Sequence, residues 1–167
     1  MPIVLIAGAG SGLSASLARA FHARGLTPVL AARDVSKLTD LARETGAITV
    51  AADASTADGV AAIFDAIDAA DGELAVAIYN PSYRVRGPIA EVDPAEVQKA
   101  LHITAYGAFL VGQQAARRML ASGGGTILFT GASAGMKGYP LSAAFAMGKF
   151  ALRGLAQSMA RELHPKG

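Results

Sequence analysis

The sequence predicts an α/β fold in which a doubly wound parallel sheet of at least five strands has helices on both faces. Two observations lead to this prediction. Short apolar runs alternate with amphipathic stretches from the third residue onward, as in chains built from repeated strand–helix–strand units. Hydrophobic residues fill 52% of the 167 positions, mostly as Ala, Val, Leu and Ile, which suit strands covered on both faces. We therefore expect residues 1–167 to form one domain with right-handed crossovers.

The first half of the chain contains three strand–helix pairs. Ile3–Ala7 is apolar throughout, which is typical of a strand buried on both faces. Leu13, Leu17 and Phe21 recur at every fourth position and form the apolar face of a helix, and Gly25 is placed to end it. The second pair is a strand at Pro28–Ala32 and a helix whose apolar face is Val35, Leu38 and Leu41 and which stops at Gly46. The third pair is a strand at Ile48–Ala52 and a helix that closes near Gly72, with an apolar face formed by Val60, Ile63, Phe64 and Ile67.

The second half supplies two more strands and two long helices. Leu74–Tyr79 is predicted to be a strand that ends before Pro81, because proline cannot donate to a strand ladder. Asp93 and Pro94 indicate a helix start, with an N-cap candidate followed by proline at the first helical position. Apolar residues from Val97 to Met119 predict that this helix is long and ends at a turn at Gly123–Gly125. A strand at Thr126–Thr130 and a last helix at about Leu141–Leu163 are expected to follow.

Composition and charge exclude several classes of protein. The net charge is +2 with scattered Lys and Arg, so there is no basic stripe for a nucleic acid. The absence of Cys excludes disulfides, cysteine zinc sites and cysteine nucleophiles. His22, His102 and His164 lack metal-ligand spacing, and we expect no metal site. The start resembles no signal peptide, and no apolar run reaches the roughly 20 residues that span a membrane. We expect a soluble, cytoplasmic protein that binds no membrane.

A glycine-rich turn follows the first strand and opens the first helix. The segment 7–14 has the sequence A-G-A-G-S-G-L-S. Glycine permits a positive φ and a close approach of the backbone to a pyrophosphate, and the helix N-terminus adds N–H donors and the positive end of its dipole. The general pattern G-x-G-x-x-G fails because leucine stands at its third glycine. The turn is either a phosphate site or a tight strand-to-helix connection, and its candidate cofactor contacts are Gly8, Gly10, Ser11, Gly12 and Leu13.

The order of these motifs resembles the short-chain dehydrogenase/reductase family along the whole chain. Gly8 and Gly12 match the family turn T-G-x-x-x-G-x-G, which Ser14 departs from at its last position. Asn80 keeps one asparagine of the family segment N-N-A-G, and Lys149 matches the lysine of Y-x-x-x-K. The resemblance implies a Rossmann-like, NAD(P)-binding domain that transfers a hydride between nicotinamide and a carbonyl or alcohol carbon.

Residues after the second and third strands bear on the choice of cofactor. In dinucleotide-binding folds an acid at the end of the second strand binds the free 2′-hydroxyl of the adenosine ribose, whereas an arginine accommodates a 2′-phosphate. Ala32 stands at the acid's position and Arg33 follows it, which favours NADP over NAD because a guanidinium can grip phosphate with two hydrogen bonds. Asp34 either binds ribose or starts a helix. The resemblance implies that Asp53 contacts adenine, unless it is a turn or capping residue, and that Asn80 belongs to the cofactor site.

The family's proton-transfer residues are largely replaced. The resemblance implies a tyrosine, a lysine four positions later, a serine and an asparagine, and residues i and i+4 share one helix face. Lys149 is retained and is expected to hold the nicotinamide ribose, unless it is a surface lysine. Phe145 stands at the tyrosine position and Thr104 at the asparagine position. The serine falls on Ala132 or is displaced by one to Ser133, although neighbouring side chains of an extended segment face opposite ways. The remaining catalytic candidates are Lys149 and Ser133.

These residues support two main hypotheses about function. The first is a divergent, NADP-preferring oxidoreductase that acts on a small carbonyl or alcohol substrate, with a proton supplied by water or by Tyr139, Tyr83 or Tyr106. The second is a non-catalytic dinucleotide-binding protein, either a sensor or a structural partner in an oligomer, which the replacement at Phe145 favours. A third hypothesis is that the glycine turn is only a tight strand-to-helix connection and that the chain binds no dinucleotide.

The two long helices predict self-association. They carry apolar residues such as Phe109 and Phe150, and the resemblance implies that these helices pair in a homodimer or homotetramer. The alternative is burial against further chain, because family members run beyond the position of Gly167 into a sixth strand and a segment that covers the substrate. We expect residues 1–167 to lack that C-terminal part of the domain.

Overall fold

The computed structural model describes Met1–Gly167 and contains one sheet of five parallel strands. Their spatial order is β3-β2-β1-β4-β5. The chain thus builds outward from β1 first to one side and then to the other, which makes the sheet doubly wound. The predicted fold class is confirmed, with strands β1 (Pro2–Ala7), β2 (Thr27–Ala32), β3 (Ile48–Ala51), β4 (Glu73–Tyr79) and β5 (Thr126–Phe129).

Six α-helices cross between or follow these strands. They are α1 (Leu13–His22), α2 (Thr39–Thr45), α3 (Ala57–Ala69), α4 (Pro94–Leu101), α5 (Gly107–Ser122) and α6 (Ala143–Leu163). Single 3₁₀ turns form at Ser36–Leu38, Ser133–Gly135 and His164–Lys166. No helix combines the length and the apolar character that crossing a lipid bilayer requires.

Two apolar cores lie on opposite faces of the sheet. Ile3 and Leu5 of β1 belong to the larger core, which includes side chains of α3, α5 and α6. Val4 and Ile6 belong to the smaller core, which is built with α1 and α2. All four side chains are completely buried. Because successive strand residues face opposite ways, a fully apolar β1 follows directly from helices on both faces, as the sequence predicted.

The predicted long helix that starts at Asp93 and Pro94 is interrupted. α4 ends at Leu101, His102–Tyr106 form a turn of π-helix, and α5 begins at Gly107. The prediction of one uninterrupted helix was therefore wrong. The sequence pattern did not reveal the break because the buried positions Ala100, Thr104 and Ala108 keep a spacing of four residues across the turn. The turn buries Thr104, which is 1% exposed.

Tyr79 explains why α5 begins with glycine. This side chain at the end of β4 is buried, and its hydroxyl donates to the Ile103 carbonyl of the π turn. A Cβ on Gly107 would collide with that hydroxyl and would lie 2.9 Å from the carbonyl oxygen of Ala54. Burial, with a smaller effect of Asp53, raises the pKa of Tyr79 well above its ordinary value. The buried tyrosine thus joins the sheet to the π turn.

The other predicted boundaries differ at the element ends. β5 and β3 stop one residue earlier than predicted, and α1 ends at His22 rather than at Gly25. The last helix starts at Ala143 rather than at Leu141, since Leu141 has a φ of +60° that is incompatible with a right-handed helix. These ends depend on local hydrogen bonds, which apolar periodicity does not reveal.

Candidate functional site

A cavity of about 360 Å³ opens at the carboxyl ends of β1, β2, β3 and β4. Ligands of open α/β sheets bind at this edge, at the point where the strand order reverses; here that point lies between β1 and β4. The glycine turn and the residues that follow β2 and β3 meet there. The lining residues that bear on binding are Gly8, Arg33, Asp34, Lys37, Asp53 and Tyr83.

Gly8 holds the turn against the sheet. Its φ is +77°, a conformation that costs a side chain roughly 1–2 kcal/mol. A Cβ there would also lie 2.7 Å from Cγ of Pro81. The N–H groups of Gly8 and Ala9 both donate to the Ala31 carbonyl at 2.9 Å. Glycine is therefore required at position 8 by backbone conformation and by the proline after β4.

Ser14 and Asn80 form a hydrogen-bonded pair behind the turn. Ser14 is 2% exposed, and its hydroxyl donates to the Gly8 carbonyl at 3.1 Å. The Asn80 side-chain amide donates to the Ser14 oxygen at 3.0 Å and approaches the Gly8 carbonyl at 3.4 Å. The structure therefore places Asn80 under the turn, where it links β4 to α1. Sequence reasoning noted Ser14 as a departure at a glycine position and missed this bond.

The first residues of α1 present backbone donors to solvent. Gly12 is the N-cap and no side chain caps the helix. Ser11, Gly12 and Leu13 are exposed, and none of their N–H groups donates to a backbone carbonyl. Positions 10 and 12 have open space where a Cβ would stand. Free N–H groups at the positive end of a helix suit a phosphate.

Arg33 and Lys37 supply positive charge beside this cavity. Both line it and both are exposed. Arg33 takes part in no salt bridge, whereas the Lys37 amine lies 3.7 Å from the Asp34 carboxylate. Asp34 accepts from the Ser36 N–H at 3.0 Å and from its hydroxyl at 2.6 Å. These bonds lower the pKa of Asp34 and hold the chain just before the 3₁₀ turn that precedes α2. Asp34 also lines the cavity, so its two alternatives, binding ribose and starting a helix, stay predictions. Lys37 was missed, and its signal was its position four residues after Arg33.

Asp53 stabilises a turn and also lines the cavity, so its predicted contact with adenine stays a prediction. One carboxylate oxygen, Oδ1, accepts from the Ser55 N–H at 2.9 Å and from its hydroxyl at 2.6 Å, so the residue stabilises the turn after β3. Those bonds, with a smaller effect of Arg33, lower the pKa of Asp53. The exposed residue also lines the cavity, which leaves Oδ2 free to accept a hydrogen bond there.

Lys149 is buried, so it is not a surface lysine. It lies on α6 and is 4% exposed, and its amine donates to the Thr130 carbonyl at 2.6 Å. Burial lowers its pKa. The Phe145 ring lies one helical turn away, with its centroid 5.9 Å from Nζ. The i and i+4 positions thus share one face of α6 as the spacing predicted.

A second cavity of about 590 Å³, which we call the Phe145 pocket, lies beside this face of α6. Its lining includes both Ala132 and Ser133. The one-residue shift was expected to turn Ser133 away, but the chain leaves β5 at Phe129 and bends into a 3₁₀ turn at Ser133, so strand alternation no longer holds. The lining also includes Arg84, Arg86, Tyr139, Leu141 and Phe145.

The two predicted catalytic residues line different cavities. Ser133 is exposed in the Phe145 pocket. Lys149 lines a neighbouring cavity of about 220 Å³ with Arg153. Ala132 belongs to both. The structure therefore brings Ser133 and Lys149 to the same end of the sheet without a common pocket.

The three candidate tyrosines have different surroundings. Tyr139 lines the Phe145 pocket and is 40% exposed. Tyr83 lines the first cavity, at the carboxyl ends of β1 to β4, and its hydroxyl donates to Glu96 at 2.7 Å. Tyr106 is exposed and stacks between His102 and Phe109 on the outer surface. Only Tyr139 of the three shares a pocket with Phe145.

The chain is similar to known proteins in its family profile, its sequence and its structure. A profile described as short chain dehydrogenase matches residues 2–167. Cis-4-hydroxycyclohexanecarboxylate dehydrogenase of Sinomonas cyclohexanicum is 29% identical over 163 residues; the match covers 95% of this chain and 66% of that protein. This chain therefore spans just under two thirds of that relative's length.

Two solved structures superpose closely on the fold. A short-chain dehydrogenase from Rhodopseudomonas palustris has a TM-score of 0.93 at 40% identity, and the match covers 99% of this chain and 80% of that one. A metagenomic short-chain oxidoreductase in complex with NADP has a TM-score of 0.93 at 30% identity, covering 99% and 77%.

Proposed function

Because the chain belongs to the short-chain dehydrogenase family, we propose that it is an NADP-preferring oxidoreductase acting on a small carbonyl or alcohol substrate. When bound, the cofactor supplies or accepts the hydride. The observation that carries the cofactor preference is the exposed pair Arg33 and Lys37 at the cavity after β2. The similarity to a dehydrogenase of a hydroxylated ring acid supports an alcohol or carbonyl as substrate.

The residues around the first cavity are suited to hold NADP. The free N–H groups of Ser11, Gly12 and Leu13 would bind the pyrophosphate. Arg33 and Lys37 would bind the 2′-phosphate, since Asp34 is engaged by Ser36 and does not stand alone as a ribose acceptor. Gly8 and Gly10 leave the room that a close approach of the pyrophosphate needs.

Other residues would complete the cofactor site. Asp53, through its free Oδ2, would accept from the adenine amino group. Asn80 would act indirectly, by holding the Gly8 turn through Ser14. Lys149 has further N–H donors besides the one directed at Thr130, and we assign them to the nicotinamide ribose.

The proton at the substrate oxygen has to come from a group other than residue 145, because a phenyl ring carries no exchangeable proton. Tyr139 is our candidate proton donor, since it lines the Phe145 pocket. Water is the alternative donor. Ser133 would orient the substrate oxygen from the same pocket. Loss of a positioned acid costs typically about 10²–10⁴-fold in rate, so we propose a slow enzyme.

The replacement at Phe145 also favours a second function, a non-catalytic dinucleotide-binding protein that acts as a sensor or structural partner. Self-association through α5 and α6 is compatible with both, because Phe109 and Phe150 are 41% and 47% exposed. We propose a homodimer or homotetramer formed by these helices.

The test is a calorimetric titration with NADPH and NADH. We expect tighter binding of NADPH, and Arg33→Gln and Lys37→Gln should each weaken NADPH binding by about tenfold without changing NADH binding. Arg24→Gln is the matched control, since Arg24 is exposed just after α1 and its side chain donates to the Ala20 carbonyl. No binding of either cofactor would overturn both functions, and binding without reduction of any carbonyl compound would favour the sensor.

A further inference from the structure

Two arginines without acidic partners line the Phe145 pocket. Arg84 and Arg86 are both exposed. The protein has four salt bridges, and neither arginine takes part in any of them. The residues around the pocket include no Asp or Glu. Both guanidinium groups are therefore free to bind an anion that enters the pocket.

The segment that carries the arginines is anchored at both ends. The Tyr83 N–H donates to the Thr104 hydroxyl at 3.3 Å, and the Tyr83 hydroxyl donates to Glu96. At the other end the Gly87 N–H donates to the Leu141 carbonyl at 3.1 Å. Arg84 and Arg86 alternate with the half-buried Val85, as expected for residues i and i+2 on one face of an extended chain. Both arginines thus line the pocket from one segment that is anchored at its two ends.

Two cationic side chains lie over aromatic rings of the pocket wall. The Arg84 guanidinium carbon lies 5.2 Å from the centroid of the Phe145 ring, within the range of a cation–π contact. The Lys137 amine lies 5.2 Å from the centroid of the Tyr139 ring. Lys137 thus contacts a residue of the pocket wall, and the wall itself carries the two arginine charges and no Asp or Glu.

We propose that the Phe145 pocket selects substrates that carry a carboxylate, which Arg84 and Arg86 bind together. This inference rests on the proposed oxidoreductase function in treating the ligand as a substrate. A guanidinium presents paired N–H donors that match the two oxygens of a carboxylate, and such charge-assisted bonds are stronger than neutral ones. We assign Arg84 to binding and orienting the substrate, and the proton comes from another group.

The test compares two ligands that differ in this charge and in one methyl group. The probes are 4-oxopentanoate and its methyl ester, and their binding is measured by ligand-observed NMR on the free protein and on the protein saturated with NADP⁺, which prevents reduction. We expect the acid to bind at least about tenfold more tightly than the ester. Arg84→Gln and Arg86→Gln should each weaken acid binding about tenfold and leave the ester unchanged, and Arg84→Lys should retain part of the preference. Arg24→Gln is the matched control.

Three results with these two ligands would overturn the inference. They are equal binding of acid and ester, binding of neither ligand, and variants that bind the acid as tightly as the wild type. A loss of NADPH affinity in Arg84→Gln would also contradict it, because that arginine would then serve the cofactor. If the protein binds no dinucleotide, the proposed oxidoreductase function fails, but the acid-to-ester ratio of the free protein still decides whether the pocket selects a carboxylate.

Discussion

Replacing Ser14 by alanine tests whether the hydrogen-bonded pair behind the glycine turn stabilises the fold. Ser14 is 2% exposed, donates to the Gly8 carbonyl at 3.1 Å and accepts from Asn80 at 3.0 Å. Each such bond contributes about 0.5–1.5 kcal/mol net, so their loss should cost about 1–3 kcal/mol. Because the Asn80 amide keeps its 3.4 Å approach to the Gly8 carbonyl, we expect the lower half of that range.

The measurement is urea unfolding of the wild type and of Ser14→Ala, with Ser16→Ala as the matched control. Ser16 is exposed on the same helix, so its replacement corrects for the higher helix propensity of alanine. A cycle with Asn80→Ala should yield an interaction free energy of at least about 0.5 kcal/mol, as for residues in direct contact.

The NADPH affinity should fall in Ser14→Ala as well, since the Gly8 carbonyl loses the donor that holds the turn. If the free energy of unfolding of Ser14→Ala changes no more than that of Ser16→Ala, or if the cycle is additive, the pair contributes nothing and the reasoning from its geometry is wrong.

Three further predictions concern the candidate site and its support. Phe145→Tyr should raise carbonyl reduction by NADPH, by up to about 10²–10⁴-fold, and an unchanged rate would mean that the pocket does not use an acid at this position. Burial lowers the pKa of Lys149 below its ordinary value of 10.5, so between the two values the folded state binds fewer protons than the unfolded chain and stability rises with pH. The free energy of unfolding should therefore rise more steeply across that window in the wild type than in Lys149→Met, and parallel pH profiles would contradict this. Gly107→Ala, which meets Tyr79, should destabilise by about 1–3 kcal/mol, whereas Gly154→Ala in open space on α6 should stabilise by about 0.5–1 kcal/mol; equal effects in thermal unfolding would refute the contact.

Much of the architecture was predictable because each element has its own signal in the chain. A strand covered on both faces needs an uninterrupted apolar run, which Ile3–Ala7 supplies. A strand-to-helix turn that approaches a phosphate needs glycine, and Gly8 has the expected positive φ. The interruption at His102–Tyr106 was missed, because a π turn changes hydrogen bonding with little change in the spacing of apolar residues.

The candidate site was predictable only in part. Spacing placed Phe145 and Lys149 on one face of a helix, but burial of the lysine depends on the Thr130 carbonyl, 19 residues away in sequence. Ser133 entered the Phe145 pocket because a 3₁₀ turn follows β5, which the expected strand alternation did not allow for. Lys37 lines the first cavity because of the way the chain folds after β2.

The sequence alone predicted the family and the parallel sheet, and it places at position 145 a phenylalanine, which carries no exchangeable proton, since these depend on residue identity and local spacing. Tertiary structure alone decided that Ser14 joins Asn80, that Thr104 is buried in a π turn, and that Arg84 lies over the Phe145 ring. The physical reason is that a side chain's charge and hydrogen bonds are set by the groups it meets in space. Residues 66 and 61 positions apart meet in the first and last of these contacts, and no local pattern records such a meeting.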